Sequence, residues 1–229
     1  SPEPPAEHVV EVDIDMENGP DGSAYLWGLW ITEPGVDPRY EAIDHYGELD
    51  DEAHRDLTGR LAARIGELRS AAVAHGGTLA LYHWSAAEFR PIAALARAGV
   101  IDEDRLGELG LVLAGQSVRG PEWIDLETVW RRNVITGRGS SVKTVIKLIG
   151  HEEHYAVDLP GGNESFVHYE RALTDVAGGV DPAASEGVRW LRTYNEGDVK
   201  ATWQIRRWLR EHMPSLPRIE DWSTAAARR

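Results

Sequence analysis

The stretch VDIDMENG, residues 12–19, constrains the fold more than any other part of the chain. Apolar and acidic residues alternate in it, and a period of two is typical of a β-strand whose successive side chains point to opposite faces. Asp13, Asp15 and Glu17 therefore project from one face of the predicted strand. Like charges at this spacing repel one another, so the sequence predicts that a positive group lies among them.

Periodicity along the rest of the chain indicates an α/β fold. Strands are predicted at residues 8–17, 23–32, 40–46 and 78–84, and a further one begins at residue 123 and runs into a helix or turn. Helices are predicted at residues 50–75, 85–99 with Ser85 as the N-cap, 102–108, 141–149, 165–175 and 185–211. Strands that come first and then alternate with helices predict a mixed β-sheet with helices on both faces.

The two ends of the chain differ in composition from its middle. SPEPPAE, residues 1–7, is typical of a disordered linker or terminal segment, which leaves open that the sequence is a piece of a longer protein. We interpret residues 8–212 as one domain and residues 213–229 as a C-terminal tail. The chain has no cysteine and no apolar run of membrane-spanning length, so we expect a cytoplasmic protein that does not enter a membrane.

Charge is segregated along the chain. The net charge of −14 argues against a general nucleic-acid binder, whose surface is usually basic. Residues 128–147 nevertheless contain no acid, and they include Arg131, Arg132, Arg138 and Lys143. This basic stretch is interpreted either as a contact surface for substrate phosphates or as a solvated loop.

Several acids fall where open α/β sheets bind ligands, beyond the carboxyl ends of the strands. Asp15 and Glu17 close the first predicted strand, and Glu88 lies at the start of the helix after the fourth. On the last helix, Tyr194 and Asp198 are four residues apart and share one face. Acids in such places are often only solvated surface. Hard divalent cations prefer oxygen ligands, and a pair of such cations can bind both the attacking and the leaving oxygen of a phosphoryl transfer. We therefore predict a site for Mg²⁺ or Mn²⁺, with two ions.

These motifs, in this order, resemble those of the DEDD exonuclease superfamily, and most closely its YprB-type branch and the C-terminal RNase H-like domains of RecB-like nucleases. The matching segments are DIDME, YHWSAAEF, SSVKTVIKLIG and TYNEGDVKATWQIRRWL, and the resemblance runs from about residue 8 to residue 209. It implies a ribonuclease H-like fold and hydrolysis of nucleic-acid phosphodiester bonds from a 3′ end. DNA is favoured over RNA because the most similar branch is associated with DNA repair.

The resemblance also implies roles for single residues. Asp15, Glu17, Glu88 and Asp198 would be the metal ligands, and Tyr194 would orient the attacking water. Most of the superfamily has an aspartate in place of Glu88. Glutamate can still bind a metal ion, but its side chain is longer by one methylene group, so this corner of the site departs from the family pattern.

Four further residues near these positions are open to more than one interpretation. Asp13 is either a ligand or a partner behind the ligands. Asp125 is expected to support the site or contact substrate rather than bind metal. His83 falls where many members of the superfamily have asparagine, and a structural role is favoured over a functional one. Lys143 is either a phosphate contact or a solvated lysine.

Two other functions remain open. Alternatively, the chain is a catalytically weak module within a larger protein. Such a module would bind nucleic acid, a helicase or other domains of the same protein. Glu88 and the net charge of −14 favour this alternative. It is otherwise a phosphoryl hydrolase that uses the same metal ions on a nucleotide. Degradation of labelled single strands in Mg²⁺ or Mn²⁺ separates the binding module from a nuclease. Release of nucleotide monophosphates from the polymer, as against an intact polymer, separates the nucleotide hydrolase.

Overall fold

The computed structural model describes residues 8–134, 137, 139–151 and 164–215. Within these residues the strands are β1 (His8–Asn18), β2 (Ala24–Glu33), β3 (Val36–Asp44), β4 (Thr78–His83), β5 (Val112–Ala114), β6 (Ser117–Arg119) and β7 (Trp123–Asp125). The helices are α1 (Asp51–Ala74), α2 (Phe89–Arg97), α3 (Glu103–Glu108), α4 (Leu126–Asn133), α5 (Val142–Leu148), α6 (Glu164–Ala177) and α7 (Glu186–His212). A short 3₁₀ helix, Met213–Ser215, follows α7.

The main sheet has five strands in the order β3-β2-β1-β4-β7. β1 lies at its centre, antiparallel to β2 and parallel to β4. β3 extends the sheet antiparallel to β2, and β7 extends it parallel to β4. This strand order is the ribonuclease H-like topology, and helices pack against both faces of the sheet. The predicted fold class is therefore confirmed.

The alternation in β1 separates an apolar face from an acidic one. The apolar side chains are fully buried against α1, α2 and α3, and they are Val10, Val12 and Ile14. The acids project from the opposite face, toward α7, and they are Glu11, Asp13, Asp15 and Glu17. The central strand thus presents four carboxylates to one helix.

Local sequence signals position α1 on the apolar face. The side chain of Asp50 accepts a hydrogen bond from the backbone N–H of Ala53 at 2.8 Å and so caps the first turn. The buried stripe of the helix follows the predicted spacing and consists of Leu57, Leu61, Ile65 and Leu68. The helix ends at His75, and Gly76 with a φ of +75° makes the turn that other residues adopt at a cost.

α7 covers the acidic face of the sheet. It begins at the N-cap Ser185, whose hydroxyl accepts from the backbone N–H of Val188 at 3.3 Å. Below Asp198, one stripe of the helix is buried, and it consists of Ala201, Thr202, Ile205 and Leu209. Neither α7 nor any other helix in the described part of the chain is long and apolar enough to cross a membrane.

Arginines from α7 neutralise the first half of the acidic face. The guanidinium of Arg206 donates to both carboxylate oxygens of Asp13, with Nη2 at 2.7 Å from Oδ2 and Nε at 3.0 Å from Oδ1. Its Nη1 lies 2.7 Å from Oε2 of Glu11, to which Arg210 also donates. Asp13 and Arg206 are both buried. The positive partner of Asp13 is therefore a side chain of the protein.

Three local predictions differ from the structure. Ser85 does not cap α2, because the helix begins only at Phe89 and the Ser85 hydroxyl accepts instead from the backbone N–H of Ala87. β3 begins at Val36, four residues before the predicted residue 40, because its edge position lets it accommodate Pro38. The hairpin of β5 and β6 was not predicted, since each of its strands has only three residues.

We expect the substitution Arg206→Met to destabilise the protein strongly. It leaves Asp13 buried without its bidentate cation, and breaking a buried ion pair from one side costs about 3–5 kcal/mol. Urea denaturation measures this loss as a change in the free energy of unfolding. Arg207→Met is the matched control, because Arg207 is the next residue and exposed. Equal losses in the two variants would contradict the role of Arg206.

Candidate metal centre

Three carboxylates meet between the end of β1 and the middle of α7. One oxygen each from Asp15, Glu17 and Asp198 lies within 4.8 Å of the other two. Asp15 and Glu17 are two residues apart on one strand face, and Asp198 faces them from the helix. Three oxygen donors this close, and partly buried, form a set that can hold a divalent metal ion.

Burial and mutual repulsion raise the pKa values of these acids. Burial raises the pKa of Asp15 well above its ordinary value, and the charges of Glu17, Asp198 and Glu88 raise it further. Burial, together with the charge of Asp198, raises the pKa of Glu17 to about 8, although a hydrogen bond from Asn195 and the charge of Lys143 act in the opposite direction. The cluster thus carries a repulsion that a bound cation would relieve.

Glu88 adds a fourth carboxylate beside the cluster. It lies in the turn between β4 and α2 and is only 3% exposed. Its Oε2 atom has no hydrogen-bond partner among the residues that the structure describes, and Nδ1 of His83 lies 3.6 Å from it. A buried carboxylate oxygen without a donor is costly, and a cation at the neighbouring cluster would offset that cost.

Tyr194 and Lys143 flank the cluster. Nζ of Lys143 donates to the hydroxyl of Tyr194 at 2.7 Å and lies 4.9 Å from the centre of its ring. The Tyr194 hydroxyl also shares a hydrogen bond with Asp198, one helical turn further along α7. Burial and the charge of Asp198 raise the pKa of Tyr194, so the phenol keeps its proton at neutral pH. Tyr194 can therefore donate a hydrogen bond but cannot act as a base.

Asn195 is a residue of the site that the sequence analysis did not identify. Its side-chain amide is fully buried and donates to Oδ2 of Asp15 at 2.9 Å. The hydroxyl of Tyr40, from β3, donates in turn to Oδ1 of Asn195 at 2.9 Å. The only signal in the sequence is that Asn195 stands beside Tyr194 in YNEGD, and helical spacing alone does not direct it to Asp15.

The structure assigns Asp13, Asp125 and His83 contacts within the protein. Asp13 is paired with Arg206, as described above. The Asp125 carboxylate caps α4 and accepts from the backbone N–H and the hydroxyl of Thr128, both at 2.9 Å. Nδ1 of the buried His83 contacts the backbone carbonyl oxygen of Ser85. Each contact accounts for its residue without a metal ion.

The basic stretch is only partly brought to the cluster. Lys143 reaches it through Tyr194, whereas Arg131 and Arg132 lie exposed in the last turn of α4. Nη1 of Arg131 is 4.0 Å from the Glu127 carboxylate on the same helix. Arg138 lies outside the described residues. A role of these arginines in substrate binding stays a prediction.

Comparison with known proteins adds no relative. No protein-family model matches the chain, and none of the curated proteins matches it. The likeness to ribonuclease H-like proteins therefore rests on the strand order and on the positions of the acids. The donor set consists of carboxylates alone. Carboxylate oxygens suit hard cations such as Mg²⁺ or Mn²⁺, whereas zinc sites typically have nitrogen and sulfur ligands.

Without metal, the protein should lose stability as the pH rises from about 5 to about 8. An acid whose pKa is raised on folding stabilises the folded state while it is protonated, and this contribution is lost as the pH rises through the folded-state value, about 8 for Glu17. In EDTA, the Tm of the wild type should fall more over this range than the Tm of Asp15→Asn/Glu17→Gln. At this chain length each 1 kcal/mol shifts Tm by about 2–4 °C.

Mn²⁺ supplies the second half of this test. At about pH 8 it should raise the Tm of the wild type, because a ligand that binds only the folded state stabilises it, and it should leave the double variant unchanged. Parallel pH profiles together with equal Mn²⁺ responses would contradict the assignment of the cluster as a metal site.

Proposed function

We propose that the chain is a metal-dependent nuclease that hydrolyses phosphodiester bonds of nucleic acid, as a 3′–5′ exonuclease that uses two Mg²⁺ or Mn²⁺ ions. One observation carries the proposal: the acids Asp15, Glu17 and Asp198 meet at the central strand of a ribonuclease H-like sheet. Beside them lies Glu88, whose Oε2 atom has no hydrogen-bond partner among the described residues. Such a cluster suits a substrate whose phosphate oxygens complete the coordination of the ions.

The position of each carboxylate suggests which ion it would bind. Asp15, Glu17 and Asp198 would hold one ion, and Glu88 would contribute to holding the second. Bound ions would neutralise the charge that develops on the phosphate and lower the pKa of a coordinated water. Because the acids are partly buried, bulk water competes little for their oxygens.

Tyr194 would hydrogen-bond to the attacking water and hold it in line with the scissile bond. Its raised pKa favours this role over that of a base, since the proton stays on the phenol. Lys143 donates to the same hydroxyl, so the phenol proton is directed away from the lysine, toward Asp198 or a water beside it. The ammonium group of Lys143 also places a positive charge where a phosphate would approach.

The nature of the polymer and of the partners is proposed from the resemblance. DNA is favoured over RNA because the most similar branch is associated with DNA repair. The same association suggests a helicase, or further domains of the same protein, as a partner. A strong salt dependence of binding would support the proposal that Arg131, Arg132 and Arg138 contact the phosphate backbone.

One observation favours the alternative of a catalytically weak binding module. Glu88 is not part of the 4.8 Å cluster, and a glutamate at this corner replaces the aspartate of the family. A weakly occupied second ion would lower turnover without abolishing binding. Incubation with Mn²⁺ of end-labelled single strands and, separately, of free nucleotides distinguishes the possibilities. Mononucleotide products from the strands indicate the exonuclease, and binding without products indicates the module. Hydrolysis of the free nucleotides alone indicates a nucleotide hydrolase.

Substitutions on α7 should separate metal binding from positioning. Asp198→Ala removes a proposed ligand, so hydrolysis should fall to background. Tyr194→Phe keeps the ring and removes one hydrogen bond, and single positioning or acid–base groups contribute about 10²- to 10⁴-fold. The phenylalanine variant should therefore be slow but measurable in single-turnover assays on labelled DNA, with Mn²⁺ affinity nearly intact.

Thr193→Ala is the control for both variants, since the Thr193 hydroxyl donates to the backbone oxygen of Arg189 at 2.8 Å and does not reach the cluster. Full activity of Tyr194→Phe would remove the tyrosine from the mechanism and leave the metal site standing. Full activity of both variants would show that the active site lies elsewhere.

A further inference from the structure

The amide of Asn195 contacts the carboxylate cluster from the core side in one orientation. Its Nδ2 donates to Asp15 Oδ2, and its Oδ1 accepts from Tyr40, both at 2.9 Å. An amide rotated by 180° would bring its carbonyl oxygen against the Asp15 carboxylate, where two acceptors repel. The Tyr40 hydroxyl therefore helps to keep the NH₂ group of Asn195 directed at Asp15.

The sheet provides the space that this amide occupies. Gly28 on β2 pairs with Asp15 on β1. A Cβ atom at residue 28 would lie 1.5 Å from Oδ1 of Asn195 and 2.7 Å from its Cγ, so any side chain at this position would displace the amide. The strand next to the cluster thus has a glycine where the buried amide passes.

A second observation marks the cluster as a ligand site. Glu88 is 3% exposed, its Oε2 has no hydrogen-bond partner in the described part of the chain, and its charge acts on Asp15. Asp15 therefore combines a hydrogen bond from Asn195 with repulsion from the carboxylate of Glu88. This arrangement restricts how Asp15 can bind a cation.

We propose that Asn195 sets the metal-ion selectivity of the site by limiting Asp15 to one ligand oxygen. The hydrogen bond engages Oδ2 and holds the carboxylate against rotation, so Asp15 would offer a cation mainly its Oδ1 atom. Mg²⁺ and Mn²⁺ suit single carboxylate oxygens in octahedral sites, whereas Ca²⁺ takes 6–8 oxygens and often binds both oxygens of one carboxylate. Asn195 thereby disfavours Ca²⁺. This inference rests on the proposed metal-dependent function.

The selectivity can be measured without any nuclease assay. Isothermal titration calorimetry of the full chain with Mn²⁺ and, separately, with Ca²⁺ gives the ratio of the two Kd values. Asn195→Ala removes the hydrogen bonds to Asp15 and Glu17. Because Oδ2 of Asp15 is then free, we expect the preference for Mn²⁺ over Ca²⁺ to fall by about tenfold, within the 10- to 100-fold effect typical of residues that orient ligands. The ratio separates this effect from a loss of stability, which weakens the binding of both ions together.

Tyr40→Phe provides an independent variant with almost the same volume. It removes only the hydroxyl that orients the amide, so the Mn²⁺ preference should fall in the same direction by a smaller factor. Thr193→Ala, two positions before Asn195 on α7, should keep the wild-type ratio. If Asn195→Ala does not fold, the ratio of Tyr40→Phe decides.

Each result bears on a different claim. A lowered Mn²⁺ preference in the Asn195 and Tyr40 variants, with the control unchanged, supports the inference. If the wild type binds Mn²⁺ and every variant has the wild-type ratio of Kd values, the role of Asn195 is overturned and the metal site stands. A wild type that binds neither ion contradicts the proposed function itself.

Discussion

The burial of four alternating acids on one face of β1 is the constraint on which the rest of the structure depends. The first two, Glu11 and Asp13, are neutralised within the protein by Arg206 and Arg210. The last two are partly buried and face other carboxylates, and burial together with this repulsion raises their pKa values. On this strand face, two acids are therefore neutralised by arginines of the protein, and the other two would be neutralised by a bound cation.

α7 connects these two halves. Its C-terminal part holds β1 through Arg206, and its middle carries the groups that surround the cluster, which are Tyr194, Asn195 and Asp198. The buried ion pair thus helps to place the ligand face of the helix over the strand. Repulsion in the cluster lowers stability where the proposed chemistry would occur, as is common when a functional site carries a cost that its ligand offsets.

The fold class and the positions of the first acids could be predicted because they depend on local spacing. A period of two places Asp15 and Glu17 on one face, and four-residue spacing places Tyr194 and Asp198 together on α7. The sheet order follows from strand content and from the resemblance. These signals are properties of single segments, which is why they can be read without the tertiary structure.

Other parts of the site depend on contacts between distant segments. Helical spacing places Arg206 nearer than Arg207 to the buried stripe of α7. It does not identify Asp13 as the partner of Arg206, since that pairing follows from how α7 lies on the sheet. The same holds for Asn195, whose role requires the register that pairs Gly28 with Asp15. Ser85 was assigned as a cap because a serine before a helical pattern is typical of one, but the turn after β4 delays the helix to Phe89.

The most direct test of the central claim is anomalous diffraction from crystals of the protein soaked in Mn²⁺. The account predicts a manganese peak between β1 and α7, at about 2.0–2.3 Å from a carboxylate oxygen of each of Asp15, Glu17 and Asp198. A second peak on the Glu88 side would identify the second ion. A map without manganese at this cluster, at a concentration that saturates other divalent sites, would contradict the account.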